Sequence, residues 1–167
     1  SIERITGDDP DPSHTYATAG THTIQIEGTF PYMNAGADGD LNQLSSIEQW
    51  GNNAWENMVN TFAWARNMVY NATDAPNLTN VTSTAGMFFS AEKVNGDLSN
   101  WNTSTITDMS FMFDGATIFN GNITTWDVSN VTNMKEMFQN ADSLNQDLSQ
   151  WNVSAVTNMQ GVFQDTD

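Results

Sequence analysis

The chain contains no cysteine, which excludes a disulfide framework and any thiolate zinc or redox centre. Positive charge is nearly as scarce: 4 Lys and Arg stand against 20 Asp and Glu, a formal net charge of −16. A field of that sign repels phosphate backbones and anionic lipid, so neither nucleic acid nor a membrane surface is expected as partner. It suits cations, cationic partners or plain solubility. No run of about 18 apolar residues occurs, so no membrane insertion is expected of this segment. Histidine is limited to His14 and His22. There is no nucleophile elbow, phosphate loop or metal-binding His cluster, and the acidic residues are scattered rather than gathered into a glycosidase-like pair. The sequence is therefore expected not to encode an enzyme. It opens at Ser1 without a signal segment, as a mature or excised piece would.

What is present is a period. Trp101, Trp126 and Trp151 are spaced by 25 residues, as are Met109, Met134 and Met159, and Phe113, Phe138 and Phe163. Ala116 and Ala141, Phe119 and Leu144, and Asn95, Asn120 and Asn145 keep the same register. One unit earlier, Met87, Phe88, Ala91, Val94 and Leu98 fall on it too, with Pro76 in the Trp position. Met58, Phe62, Ala65 and Met68 repeat the spacing once more. Self-similarity of this kind marks a repeat architecture, whose end units must shield an apolar stack from water.

Within a unit, Ile106, Met109, Met112, Phe113 and Ala116 lie at helical spacing, which predicts a short helix or pair of turns. Leu98, Trp101 and Thr103 fit the L-x-x-L-x-L spacing of a short strand. The expected fold is an α/β repeat: a leucine-rich-repeat-like, right-handed solenoid of 25-residue period, with short parallel strands, helical turns and a β-rich N-terminal appendage. Residues 1–45 form that appendage with a loop, and 46–75 a helical capping repeat. The repeats proper are 76–100, 101–125, 126–150 and a partial 151–167. In the appendage, Thr21 to Glu27 alternates as a half-buried strand does, with Ile2 to Ile5 as candidate partner. Ser46-Ile47-Glu48-Gln49 and Asn53-Ala54-Trp55-Glu56 are capping-box patterns, predicting two helices. Asn95, Asn120 and Asn145 are expected to form a buried structural ladder.

The units GDLSNWNTSTITDMSFMFDGATIFN, GNITTWDVSNVTNMKEMFQNADSLN and QDLSQWNVSAVTNMQGVFQ resemble the BspA-like leucine-rich-repeat surface-protein family. SIEQWGNNAWENMVNTF and DAPNLTNVT resemble the segment that leads into its repeats, and HTYATAGTHTIQIEG resembles the last strands of a PKD-type domain. The resemblance implies secretion or cell-surface display and adhesion to an extracellular protein or glycan, with no catalytic residues to carry over. The chain departs from the family pattern at Pro76 (for Trp), and at Thr84 and Val162 (for Met).

On the strand reading, Asn100, Asn102 and Ser104, then Thr125, Asp127 and Ser129, then Gln150, Asn152 and Ser154 face outward in rows. Short amides, hydroxyls and a carboxylate in register can hydrogen-bond a sugar or an extended peptide; equally, they can simply hydrate a face. The rival function is a structural spacer or filament subunit that self-associates through the solenoid ends. Thr82, Thr107, Thr132 and Thr157 form a row that an ice-binding face would need, but their hydroxyls are expected to be committed to backbone. Asp38, Asp40 and Asn42 alternate as weak calcium ligands do, without the Gly and bidentate Glu of an EF-hand. No cofactor is expected. Seven N-x-[ST] matches occur, at Asn71, Asn77, Asn80, Asn102, Asn122, Asn130 and Asn152, most of them generated by the repeat itself.

Overall fold

The computed structural model describes residues 2–6, 18–27, 33 and 41–166. Two strands near the N-terminus, β1 (Ile2–Thr6) and β2 (Thr23–Glu27), pair in parallel with Ile2 opposite Thr23 and Thr6 opposite Glu27. Of the strand expected over 21–27, Thr23–Glu27 is present, and the candidate partner Ile2 to Ile5 lies within β1. β2 is not half-buried at Ile24, whose side chain is 51% exposed. A 3-10 helix, Leu41–Gln43, precedes β3 (Ser46–Ile47), which pairs in parallel with β4 (Val69–Tyr70).

The expected α/β leucine-rich-repeat solenoid is not the fold. Among the described residues there is no α-helix, and beyond β1 and β2 the strands shrink to two residues each. Among the described residues pairing continues as isolated parallel bridges, Ala54 to Asn77 and the series Ser83 to Asp108 to Asn133 to Asn158. The helices predicted from the two capping boxes are absent: Ser46 and Ile47 form β3, and 53–64 is bridge and turn.

The reason lies in the backbone. Each unit holds two residues of positive φ, four apart: Asn60 and Trp64, Gly86 and Ser90, Phe111 and Gly115, Glu136 and Asn140, Gly161 and Asp165. A left-handed residue cannot continue a right-handed helix. Instead, alternate peptides do different things. Thr84, Gly86, Phe88 and Ser90 donate their N–H groups to the carbonyls of Asp108, Ser110, Met112 and Asp114 in the next unit. Met87, Phe89 and Ala91, in between, donate three residues back to Thr84, Gly86 and Phe88. Met109, Phe111, Phe113 and Gly115 repeat the pattern toward Asn133, Lys135, Met137 and Gln139. Overlapping turns that close every three residues bring i, i+3, i+4 and i+7 to one side, so they imitate the apolar spacing of a helix.

The apolar core is continuous through these units. Phe62, Phe88, Phe113, Phe138 and Phe163 stack in one column, with centroids 5.5 to 5.8 Å apart and interplanar angles of 4° to 21°. Trp101, Trp126 and Trp151 form a second column at 6.0 and 6.4 Å. That column breaks at Pro76, and Tyr70 fills the gap. Its hydroxyl accepts the indole N–H of Trp50 (2.8 Å) and of Trp101 (3.2 Å). In later units the equivalent indoles donate to backbone instead, Trp126 to Leu98 O and Trp151 to Ile123 O. Gly96 lies against Tyr70, where an added Cβ would fall 2.2 Å from the ring.

Candidate functional site

Three short polar turns punctuate each unit. A side-chain oxygen accepts the N–H two residues on, from Asp97 to Ser99, from Asn102 to Ser104 and from Asp108 to Ser110. One unit later the acceptors are Asn122, Asp127 and Asn133, and then Asp147, Asn152 and Asn158. Such Asx turns explain why the chain is rich in Asn, Asp, Ser and Thr. They also account for sequons: at Asn77, Asn102 and Asn122 the i+2 hydroxyl donates to the same Asn oxygen at 2.7 to 2.8 Å.

The nine residues expected on an outward strand face occupy these turns and their flanks. The stacking of the units brings them into rows. Asn100, Asn102, Thr125, Asp127, Gln150, Asn152 and Ser154 are exposed, and Ser104 and Ser129 are half-buried. No sheet lies beneath them, since 101–105 is irregular chain and turn. Several are already engaged. Asn100 Nδ2 donates to Thr73 O, Thr125 Oγ1 to Ser99 O, and Gln150 Nε2 to Ser149 Oγ. Asp127 Oδ1 accepts both the N–H (3.0 Å) and the O–H (2.6 Å) of Ser129. These bonds hold its carboxyl below the usual carboxylate range, the hydroxyl contributing most and the backbone next. Asp97 and Asp147 are lowered for the same reason, by Ser99 and Ser149. In the row Asn102, Asp127, Asn152, one side-chain oxygen is thus fixed by its turn, and the second polar atom carries no hydrogen bond among the described residues.

A shallow notch of about 320 Å³ adjoins this row where Pro76 interrupts the tryptophans, lined by Tyr70, Asn71, Ala72, Thr73, Asp97, Ser99 and Asn100. Sequence reasoning picked out Asn100 but missed Tyr70. The signal available was its position just ahead of the one unit that lacks a Trp. Burial pushes the Tyr70 hydroxyl up in pKa, against the two indole bonds, which lower it.

The other expected features divide. Asp38 and Asp40 lie outside the described residues, while Asn42 is exposed and its carbonyl accepts Asn67 Nδ2. Among the described residues no three His, Cys, Asp or Glu gather closely enough to share an ion, and no helix is long and apolar enough to cross a membrane. The Asn95, Asn120, Asn145 ladder exists, the side-chain oxygens of Asn95 and Asn120 each accepting the N–H of the next Asn at 2.9 to 3.0 Å. It is exposed rather than buried, because the chain turns there at the rim of the core. The Thr hydroxyls are committed to backbone, each of Thr107, Thr132 and Thr157 donating to the Thr carbonyl of the preceding unit.

Fold and site together define a repeat protein built from stacked turns, with in-register polar rows. The chain belongs to the family described as "Mycoplasma protein of unknown function, DUF285", whose pattern matches residues 56–167. No curated protein and no solved structure matches it.

Proposed function

We propose that this chain is a non-catalytic recognition or adhesion module of a secreted or surface-displayed protein, binding an extracellular protein or glycan through the polar row at Asn102, Asp127 and Asn152. The observation that carries this reading is the row's pre-organisation. Each Asx side chain is held by its own turn, so presenting the free polar atoms costs little further ordering. The resemblance of the repeats to BspA-like surface proteins supports the same reading, and so does a charge of −16, which disfavours nucleic acid as the partner.

Interchanging amide and carboxylate tests it without disturbing the turns, since Asn and Asp close the same motif. The variant Asn102→Asp, Asp127→Asn, Asn152→Asp is expected to unfold as the parent does. It is expected to lose binding on an array of glycans and extracellular-matrix proteins, read with and without calcium. Unchanged binding by the folded variant sinks the assignment of this row.

A second reading, a spacer or self-associating filament subunit, draws on the last unit. There Met159 is 42% and Phe163 50% exposed, whereas Met134 and Phe138 one unit earlier are buried. Concentration-dependent sedimentation that disappears on Met159→Asp with Phe163→Asp would favour it.

A further inference from the structure

The turn side of the first two units carries a surface group in which no residue of the Asx row takes part. Trp64 has φ 66° and is 46% exposed. The equivalent left-handed positions of later units hold Ser90, Gly115, Asn140 and Asp165, small or Asx residues. A bulky ring is the least suited side chain for that backbone. The stacking of the units imposes that backbone, through Trp64 N–H to Phe89 O here, but it does not ask for a large exposed ring at this position. The ring meets Phe89 edge-on, 4.9 Å between centroids, and the Arg66 guanidinium lies over it at 5.2 Å. Arg66 pairs with Glu92, and Lys93 Nζ donates to Asn67 Oδ1 at 3.1 Å. The indole is thus about half exposed, with Arg66 over one face and Glu92, Asn67 and Lys93 close by.

We propose that Trp64, buttressed edge-on by Phe89, takes a neutral pyranose of an oligosaccharide on the open part of its indole. A pyranose offers an apolar C–H face to an aromatic plate, and hydroxyls that both donate and accept around its edge. The plate supplies the first match, and the mixed set Arg66, Glu92, Asn67 and Lys93 supplies the second. Glu92 and the overall charge of −16 disfavour an acidic peptide. A purely apolar partner would bury these polar groups without replacing their hydrogen bonds with water.

The test is titration of the full chain with soluble hexasaccharides of glucose, N-acetylglucosamine and mannose at millimolar concentration, following the indole N–H resonances by NMR. At least one hexasaccharide is expected to give a saturable shift. Trp64→Asn, which places at this turn the residue type of Asn140, is expected to weaken that binding by about tenfold or more with thermal unfolding unchanged. Phe89→Ala gives the same comparison should Trp64→Asn fail to fold. Asn102→Asp with Asn152→Asp is expected to leave it unaltered, which separates this site from the polar row. No saturable response to any of the three sugars overturns the proposal, as does full affinity in the folded Trp64 and Phe89 variants.

Discussion

Tyr70 shows how one residue can repair a repeat. Two buried indoles share its hydroxyl as acceptor, so Tyr70→Phe strands two donors at once. Leaving a buried donor unpaired costs about 1–3 kcal/mol, and chemical denaturation is expected to show a loss of about 2–4 kcal/mol. Loss below about 1 kcal/mol would mean that water or backbone takes over. Charge acts at this scale as well. Asp97, Asp127 and Asp147 have folded-state pKa values lowered by their Ser partners. Their stabilisation is full at neutral pH and is lost as pH falls through the lowered values. Asp114 is the opposite case: burial, aided by Glu136, pushes its pKa up against the Asn140 hydrogen bond. Its ionisation thus opposes folding at neutral pH, and acidification relieves it. Asp114→Asn is expected to raise Tm near neutral pH, with the gain vanishing once the parent's Asp114 is protonated. A gain that persists through acid would show that the carboxylate is not its source.

The element is the turn-built unit, whose energetics follow from stacking. Phe113 is fully buried and stacks on Phe88, Phe119 and Phe138. Phe113→Ala is expected to cost about 3–5 kcal/mol. Phe163 occupies the same column half-exposed, and its truncation is expected to cost about 1 kcal/mol or less. Equal losses at the two positions in denaturant melts would refute the core assignment. The left-handed positions bear on the element too. At Gly86 (φ 62°) an added Cβ would sit 2.1 Å from Asn60 Oδ1. Gly86→Ala is expected to lose about 1–2 kcal/mol.

Across the whole molecule the two ends of the stack differ. At the beginning, Ile47, Trp50 and Tyr70 are buried in the core, with Met33, Leu41 and Leu44 packed against it. In the last unit Val153, Met159 and Phe163 are exposed. The exposed set is the surface that the self-associating reading draws on: on that reading larger species in sedimentation are expected to grow with concentration and to disappear in Met159→Asp with Phe163→Asp.

The sequence by itself determined the period, the core columns and the polar rows, because each depends only on side-chain identity at fixed spacing. Trp101, Trp126, Trp151 and the Phe column were legible as repeats, and both stand as stacked columns. It did not determine the conformation of the chain between them. Met109, Met112, Phe113 and Ala116 satisfy helix spacing, yet overlapping turns meet the same spacing, and only the left-handed backbone at Phe111 and Gly115 decides. Phe111 carries no signal of that state, since only contact with neighbouring units holds a bulky residue there. The same dependence hid Tyr70. Its role as acceptor exists only once Trp50 and Trp101, far apart in sequence, close over the gap left at Pro76.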